Sequence, residues 1–312
     1  AARSHLTALA PAGRRRGRFA PSPTGPLHFG SLVAAVGSFA DARATGGEWL
    51  VRMEDLDRPR EVPGAADDIL RTLEAFGLCW DGTVAYQSRR TELYAGAIEQ
   101  LEALGLVYPC GCTRREIGHG GLPGAEGPIY PGTCRQGLPP GREPRSLRLR
   151  ADGPEVGFSD RLHGPQRQDV ARAVGDFVLR RADGLHAYQL AVVVDDAAQG
   201  ITDIVRGADL LLSTPRQLRL QACLGLPQPT YAHLPLVLDR SGRKLSKSRT
   251  DLPVTAADPL PALLRAWAVL GQAPPPAAPE DVPAFWDWAL THWDLSRVPA
   301  HNCLPGGEPT NG

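Results

Sequence analysis

The chain is 312 residues long, which suits one large domain with an insertion or two modest domains, and it can bury a substantial core. Its composition, with 42% hydrophobic and 22% charged residues, is ordinary for a soluble globular enzyme, and no run of about 18 apolar residues predicts a membrane span. The 34 acidic and 34 basic residues give a formal net charge of zero, so the total charge does not by itself predict a nucleic-acid partner.

Residues 1–20 lack the long apolar core and the small-residue cleavage site of a signal peptide. Six cysteines, three of which cluster between residues 110 and 134, are typical of metal ligands in a reducing compartment rather than of a disulfide framework. We therefore expect a cytoplasmic protein. Basic patches at residues 13–18, 144–150 and 179–181 are candidates for contacts with phosphate, although most such runs are solvated faces.

The first part of the chain alternates between strand and helix patterns, as α/β folds do. The segment GRFAPSPTG, residues 17–25, predicts a short strand that runs into a turn, and residues 31–46 predict a helix that stops at a glycine. EWLVRMED, residues 48–55, predicts a second strand. Two amphipathic helices, each closed by a glycine, are predicted over residues 64–78 and 91–106.

From about residue 105 to about residue 165 the periodic pattern dissolves into Gly, Pro and Cys, which indicates an insertion. YQLAVVVDDAAQGITDIVRG, residues 188–207, contains a continuous apolar run that predicts a buried parallel strand, followed by a second strand. Residues 214–226 predict a helix. Residues 272–283 are typical of a linker, and a Trp-rich helix is predicted after it, over residues 284–298.

His28, Gly30 and Ser31 lie where the first predicted strand turns into the first predicted helix. In an open α/β sheet this junction lies at the carboxyl end of the strand, and the free N–H groups of the helix can bind an anion there. Gly25 and Gly30 allow the backbone to approach a ligand closely. The alternative interpretation is a tight turn with a capping residue.

The only two lysines of the chain, Lys244 and Lys247, both lie in RSGRKLSKSRT, residues 240–250. A lysine ammonium is a compact charge on a flexible stem, whereas arginine presents a planar fork. A loop that follows a phosphate as its charge changes in the transition state favours lysine. The pattern therefore indicates a mobile, phosphate-binding loop. The alternatives are an exposed basic loop and an accident of an arginine-rich composition.

HFGS at residues 28–31 and KLSKS at residues 244–248 resemble the two motifs of class I aminoacyl-tRNA synthetases, HIGH and KMSKS. Ser31 stands at the second histidine of the first motif, and Leu245 stands at the methionine of the second. Longer blocks, among them RFAPSPTGPLHFGSL, EDLDRPREVPGAADDIL and HLPLVLDRSGRKLSKS, are similar to the glutamate-specific branch over residues 17–298. Only a short stretch follows KLSKS in the sequence, and in this respect the chain resembles the truncated members of that branch, the glutamyl-Q tRNA(Asp) synthetases.

This resemblance implies an α/β fold: a Rossmann-type class I synthetase catalytic domain with a zinc-bearing insertion, a C-terminal helical subdomain and no anticodon-binding domain. The implied organisation is a disordered tail 1–13, the first half of the catalytic domain 14–104, the zinc-bearing insertion 105–175, the second half with the KLSKS loop 176–250, a helical subdomain 251–298 and a disordered tail 299–312.

The resemblance also implies a function. It predicts ATP-dependent activation of L-glutamate to glutamyl-adenylate and transfer to the queuosine base in the anticodon stem-loop of tRNA(Asp). The implied partners are this RNA, L-glutamate, and ATP with Mg²⁺, and we expect a monomer with no membrane partner. The alternatives are a truncated glutamyl-tRNA synthetase that charges a tRNA 3′ end, a non-catalytic RNA-binding paralogue, and a nucleotidyltransferase that acts on small metabolites.

Cys110, Cys112 and Cys134 supply three thiols with one place open for a tetrahedral zinc ion. The Gly/Pro-rich loop between them has little apolar surface to pack, so a metal would stabilise it. From spacing alone His119 is the first candidate for the fourth ligand, whereas the resemblance implies Tyr130, and a water is a third option. The alternative is three free thiols. The resemblance implies one structural Zn²⁺.

The resemblance implies how the substrates are bound. The implied glutamate-binding residues are Arg18, Phe19, Ala20, Pro21, Ser22, Glu54, Tyr188 and Arg206, and the implied ATP-binding residues are His28, Gly30, Ser31, Lys244 and Lys247. Arg18 suits a carboxylate and Glu54 suits the ammonium group. For Arg206 the alternative is a structural ion pair with Asp195 or Asp196.

His28 and Lys247 are the implied catalytic residues. They would stabilise the charge that develops during in-line attack of the glutamate carboxylate on the α-phosphate of ATP, and no covalent nucleophile is needed. Because both residues are present, the non-catalytic alternative is disfavoured.

Overall fold

The computed structural model describes residues 13–124, 126–238 and 254–304. In these residues the chain forms twelve β-strands and nine α-helices. The strands are β1 Arg16–Phe19, β2 Glu48–Met53, β3 Ala85–Tyr86, β4 Val107–Cys110, β5 Pro123–Gly124, β6 Gly127–Pro128, β7 Ser146–Leu149, β8 Val156–Asp160, β9 Gly164–Gln168, β10 Phe177–Arg180, β11 Asp203–Gly207 and β12 Thr230–Leu234. The helices are α1 Phe29–Arg43, α2 Ala65–Ala75, α3 Thr91–Ala103, α4 Arg114–Gly120, α5 Val170–Ala173, α6 Tyr188–Ala198, α7 Thr214–Leu224, α8 Pro259–Val269 and α9 Val282–His292.

Parallel strands form the layer that carries the site. β1, β2 and β3 pair in parallel in that order, and β11 pairs in parallel with β12. β1 lies beside β11, and hydrogen bonds join Arg16 of β1 to Thr202, the residue before β11. The Thr202 N–H donates to the Arg16 carbonyl at 3.0 Å, and the Arg16 N–H donates to the Thr202 hydroxyl at 2.8 Å. α1 packs against β1, β2 and β11. The predicted α/β class is confirmed, and the carboxyl ends of these strands meet at one edge.

The segment between α3 and α6 adds antiparallel strands. β7 lies between β4 and β10 and pairs antiparallel with both. β8 and β9 form a hairpin, and β8 extends the β11–β12 sheet where Asp160 pairs with Tyr231. β4 ends at Cys110, which belongs to a small buried cluster of cysteine and tyrosine side chains with Ile117 of α4 packed against it.

Two helices end at the glycines that the sequence predicts. Gly77 follows α2 with φ of 68° and Gly105 follows α3 with φ of 70°, so both adopt the left-handed conformation that closes a helix. Gly77 also lies beneath α9, since an added Cβ would approach the ring of Trp286 to 2.9 Å. A side chain at Gly77 would therefore be strained in its backbone and would displace α9.

Residues 188–198 form the helix α6, so the prediction of a buried strand there is wrong, whereas the second predicted strand is confirmed as β11. A continuous apolar run does not distinguish a buried strand from a buried helix. In a helix neighbouring side chains point about 100° apart, so adjacent carboxylates reach different partners. Asp195 accepts a hydrogen bond from the Tyr94 hydroxyl at 2.7 Å, and Asp196 accepts one from Arg18 at 3.1 Å.

The helices α8 and α9 pack on α1 and attach the end of the chain to the parallel layer. Trp267 meets Phe285 edge to face, with ring centroids 5.6 Å apart. The Trp286 indole N–H donates to the Phe76 carbonyl at 2.8 Å. Replacing one buried aromatic residue of this kind by alanine costs about 3–5 kcal/mol. The predicted Trp-rich helix is confirmed, and it begins at Val282.

The prediction of a disordered tail is wrong for residues 299–304. Cys303 is fully buried, its N–H donates to the Leu236 carbonyl at 2.9 Å, and its carbonyl accepts from the Leu238 N–H at 2.8 Å. Residues 254–304 contain two α-helices and no anticodon-binding domain. Within the parts of the chain given above, no helix is long and apolar enough to cross a membrane. Residues 1–12 and 305–312 lie outside the described residues.

Candidate active site and metal centre

A cavity of about 490 Å³ opens at the carboxyl edge of the parallel strands. It is formed by residues at and beyond the ends of β1, β2, β11 and β12, where open α/β sheets bind their ligands. Residues predicted from the sequence that line it are Arg18, Phe19, Ala20, Pro21, Ser22, His28, Gly30, Ser31, Glu54, Tyr188 and Arg206. The structure thus brings together every predicted glutamate-binding and ATP-binding residue that it describes. Lys244 and Lys247 lie outside the described residues.

His28 lies at the start of α1 and caps the helix. Its Nδ1 accepts a hydrogen bond from the Ser31 N–H at 3.3 Å, and its Nε2 lies 2.9 Å from the Ser31 hydroxyl. The capping interpretation is therefore confirmed, and because the same ring also lines the cavity, the site interpretation stays a prediction. The first turn of α1 contains no acidic residue, so its N-terminal partial positive charge is available to an anion.

Glu54 supplies negative charge to the cavity directly after β2. Its side chain is 10% exposed, and Oε1 lies 3.5 Å from Nη2 of Arg52 without a hydrogen bond in the described residues. Burial raises the pKa of Glu54 to about 7, although the guanidinium groups of Arg52 and Arg18 act in the opposite direction. An ammonium group in the cavity would both pair with Glu54 and favour its charged form.

Tyr188 is the first residue of α6 and lies on the cavity wall near Glu54. Burial raises the pKa of Tyr188 to about 12, and the Glu54 carboxylate adds to the shift. The phenol is therefore protonated at neutral pH and can donate a hydrogen bond to a ligand.

Arg18 is held by a carboxylate of α6. Its Nε and Nη2 donate to the two oxygens of Asp196 at 3.1 and 3.2 Å, which is bidentate pairing. Nη1 of the fully buried Arg52 lies 2.9 Å from the same carboxylate. Burial alone would raise the pKa of Asp196, but Arg18 and Arg52 outweigh it and lower that pKa. The three groups therefore stay charged and fix the guanidinium of Arg18 at the cavity wall.

Arg206 is held by neutral groups instead. Its Nε lies 3.1 Å from Nε2 of His233, and its Nη2 donates to the Thr214 hydroxyl at 2.9 Å. Nη1 is buried and has no hydrogen-bond partner in the described residues. The alternative of an ion pair with Asp195 or Asp196 is not found in the described part of the chain, where those carboxylates bind Arg18, Arg52 and Arg90.

His233 is oriented by a buried carboxylate. Its Nδ1 lies 2.6 Å from Oδ2 of Asp160, and both side chains are fully buried. Burial lowers the pKa of His233 to about 4, although Asp160 acts in the opposite direction, so the ring is neutral at pH 7. The hydrogen-bond network then assigns the proton to Nδ1, which donates to Asp160, and leaves Nε2 free to accept from Arg206.

Arg52, Asp160, Asp195, Asp196 and His233 were not assigned to the site from the sequence, although they position its arginines. The sequence does contain an indication for Asp195 and Asp196. Two carboxylates at the end of a buried apolar run need buried cationic partners. No comparable signal marks Asp160 and His233, which are 73 residues apart in the chain.

The predicted thiols Cys110, Cys112 and Cys134 come together at the end of β4. Their sulfur atoms all lie within 4.8 Å of one another, and Sγ of Cys112 is 3.7 Å from Sγ of Cys134. Thiolates about 2.3 Å from a tetrahedral zinc ion stand about 3.8 Å apart, so the spacing fits a metal. The Gly111 N–H lies 3.4 Å from Sγ of Cys134 and can stabilise a thiolate there. None of the three is in a disulfide.

Tyr130 is the fourth group of this cluster. Its hydroxyl oxygen lies 3.3 Å from Sγ of Cys110 and 3.7 Å from Sγ of Cys112, and it accepts a hydrogen bond from the Cys134 N–H at 2.8 Å. The Arg148 guanidinium lies 3.9 Å from the centre of its ring, and burial together with the neighbouring cysteine sulfurs raises the pKa of the Tyr130 phenol. His119, the candidate from spacing, is exposed and does not join the cluster.

Comparison with known proteins identifies the family. Residues 15–264 match the family model described as tRNA synthetases class I (E and Q), catalytic domain. A glutamyl-Q tRNA(Asp) synthetase of Chromobacterium violaceum is 60% identical over 285 residues, which cover 91% of this chain and 95% of that protein. The chain belongs to the glutamyl-Q tRNA(Asp) synthetase family. A second member, from Aromatoleum aromaticum, is 58% identical over 284 residues, 91% of this chain and 90% of its own length.

Solved structures show the same fold. A glutamate tRNA ligase from Elizabethkingia meningosepticum, crystallised in complex with its amino acid, superposes with a TM-score of 0.77 at 26% identity. The match covers 93% of this chain and 66% of that ligase. Membership of the glutamyl-Q tRNA(Asp) synthetase family makes the chain a ligase-type enzyme with a catalytic domain that activates glutamate and transfers it to tRNA.

Proposed function

We propose that the cavity binds L-glutamate and ATP side by side, forms glutamyl-adenylate and transfers the glutamyl group to the queuosine base in the anticodon loop of tRNA(Asp). The observation that carries this proposal is the meeting of two carboxylates, Glu54 and Asp209, two guanidinium groups, Arg18 and Arg206, and a helix N-terminus in a single cavity of about 490 Å³. The names of the relatives, glutamyl-Q tRNA(Asp) synthetases, supply the acceptor.

The proposed glutamate site uses both signs of charge. Glu54 receives the ammonium group, because its Oε1 has no hydrogen bond in the described residues and its pKa of about 7 leaves it ready to ionise beside a cation. Arg206 receives a carboxylate, because its buried Nη1 needs an acceptor. Arg18 borders the same space, and Tyr188 adds a neutral hydrogen-bond donor. Residues 19–22 form the backbone wall after β1.

The proposed ATP site lies at the start of α1, where His28, Gly30 and Ser31 line the cavity. The partial positive charge at the start of this helix and the ring of His28 stabilise negative charge on the phosphates. ATP arrives with Mg²⁺ as part of the substrate. Lys244 and Lys247 remain the proposed phosphate-binding cations, and Lys247 with His28 stabilises the in-line attack of the glutamate carboxylate on the α-phosphate.

The proposed metal is one structural zinc ion, held by Cys110, Cys112, Cys134 and the phenolate of Tyr130. When bound, such an ion supplies folding energy rather than chemistry at the substrate. In the chain itself, Tyr130 and Arg148 stabilise the thiolate of Cys110: burial raises its pKa, yet their hydrogen bonds outweigh burial and lower it to about 7. The clustered thiols favour a reducing compartment, so we propose that the protein is located in the cytoplasm. We also propose that it is a monomer.

The test supplies labelled glutamate and ATP with an isolated anticodon stem-loop of tRNA(Asp). One stem-loop carries queuosine and the matched control carries guanosine at the same position. We expect label only on the queuosine RNA, because guanosine lacks the hydroxylated ring that forms the ester. An unstacked loop base is the usual target of sequence-specific RNA recognition, so the stem-loop should suffice. Glutamate on the 3′-terminal adenosine of whole tRNA would contradict the proposal and favour an ordinary glutamyl-tRNA synthetase.

A further inference from the structure

A second cavity, of about 470 Å³, lies between the metal cluster and the N-terminal ends of α6 and α7. It adjoins the glutamate cavity, because Tyr188 lines the first cavity and the next residue, Gln189, lines the second. Residues near the start of α7 also line both cavities, with Leu210 in the first cavity and Arg216 in the second. The two cavities therefore lie close together.

One wall of this second cavity carries a fixed polar network. Arg216 forms an ion pair with Glu126, and Nε of Arg216 is buried without a partner in the described residues. The Ser213 hydroxyl donates to Glu126 at 2.7 Å, and the amide of Gln189 donates to Ser213 at 3.2 Å. The Gln217 amide donates to the Gln189 oxygen at 2.9 Å. A carboxylate, a guanidinium group and a primary amide thus face one space in defined orientations.

Other parts of the lining are apolar, which favours a ligand with a flat apolar face. Five side chains supply this surface: Ile117, Pro128, Val174, Phe177 and Val178. Charged groups of both signs also line the cavity, namely the guanidinium groups of Arg114, Arg148 and Arg216 and the carboxylates of Glu126 and Asp176, so it offers both donors and acceptors. Apolar faces with a mixed donor and acceptor edge are the chemistry by which proteins hold an unstacked base.

We propose that this cavity binds the guanine-type edge of the acceptor nucleoside. Glu126 accepts from the N1–H and the 2-amino group, and Arg216 donates to the O6 carbonyl. The inference rests on the proposed function, since queuosine keeps the guanine edge and carries its hydroxylated ring on the five-membered ring of the base, away from the N1–H and the 2-amino group. With the edge in the second cavity, that ring faces the glutamate cavity.

The test measures binding of fluorescent anticodon stem-loops to the full chain by anisotropy. One stem-loop carries queuosine and the other carries the same base without its 2-amino group. Each is bound to the wild-type protein, to Glu126→Gln and to Glu155→Gln. Glu155 is the matched control because it is an exposed carboxylate paired with Arg167 at the β8–β9 hairpin, away from both cavities.

Loss of the 2-amino group should weaken binding to the wild type and to Glu155→Gln about 10- to 100-fold, the range for a hydrogen bond to a charged group. The same loss should weaken binding to Glu126→Gln only about threefold, because the neutral amide oxygen that remains is a weaker acceptor than the carboxylate. An equal loss in all three proteins, or no loss in the wild type, would overturn the inference. Glutamate transfer is assayed separately, so a stem-loop that binds with this selectivity but accepts no glutamate counts against the proposed function alone.

Discussion

Replacing His233 by glutamine should remove a pH dependence from the folding stability of the chain. His233 is fully buried, and burial lowers its pKa to about 4 despite the bond to Asp160. In the unfolded chain the imidazole returns to its ordinary pKa of about 6.5. Between these two values the unfolded state binds more protons than the folded state, so the free energy of unfolding falls as the pH decreases from about 6.5 to about 4.

The size of this effect follows from the separation of the two pKa values. Each pKa unit corresponds to about 1.4 kcal/mol. Lowering the pH from about 6.5 to about 4 should therefore lower the free energy of unfolding of the wild type by about 3 kcal/mol. At pH 7 the variant should itself be less stable by about 1–3 kcal/mol, because Asp160 loses its short bond to His233 and Arg206 loses an acceptor. The pKa of Asp160 is lowered to about 2, so its own contribution is lost only below about pH 4.

The assay is urea unfolding of both proteins at a series of pH values from about 7 to about 4.5. The wild type should lose stability steadily over this range, and His233→Gln should start lower but lose less. The matched control is His292→Gln, which replaces an exposed histidine of α9 and should keep the wild-type slope. An unchanged slope in His233→Gln would refute the conclusion that a buried neutral imidazole holds Arg206.

Three further predictions concern the metal, the substrate site and the lysine loop. Cys134→Ser should lose about one zinc per chain and destabilise the insertion, as measured by metal analysis and thermal unfolding. The control Cys79→Ser, which replaces an exposed cysteine, should do neither. Full zinc occupancy in Tyr130→Phe would reopen the identity of the fourth ligand. The KM for glutamate should rise as the pH falls below about 7, because Glu54 becomes protonated, and Glu54→Gln should raise KM about tenfold and abolish this dependence in ATP–pyrophosphate exchange. Lys247→Ala should lower the exchange rate at least about 100-fold and Lys247→Arg should keep part of it; full activity of the arginine variant would make the confinement of lysine an accident of composition.

The cavity could be predicted from sequence because its lining comes from short contiguous segments. Residues 18–22 and 28–31 flank one strand-to-helix turn, so the local pattern places both at the carboxyl end of β1. Glu54 follows an unmistakable apolar strand. In the metal cluster, the spacing of the cysteines was enough to predict three ligands, whereas the approach of Tyr130 depends on how the loop after α4 folds.

Other parts of the fold depend on contacts that no local pattern encodes. The strand predicted within residues 188–198 is a helix, because burial on all sides removes the alternation that separates the two structures. The pairing of β8 with β12 is equally hidden, since it joins Asp160 to Tyr231, which lie far apart in the chain. The same long-range contact brings Asp160 to His233, so the group that orients Arg206 appears only in the folded protein.

The partners of the two cavity arginines explain which of them is free to bind a substrate carboxylate. Arg18 forms a bidentate pair with Asp196, so its charge is already compensated inside the protein. Arg206 is held by Thr214 and the neutral ring of His233, and no carboxylate forms an ion pair with it in the described residues. A buried guanidinium group without a counter-ion is costly, and a bound carboxylate removes that cost. The neutral imidazole therefore does more than fix a geometry: it holds Arg206 in place while leaving its charge for the ligand.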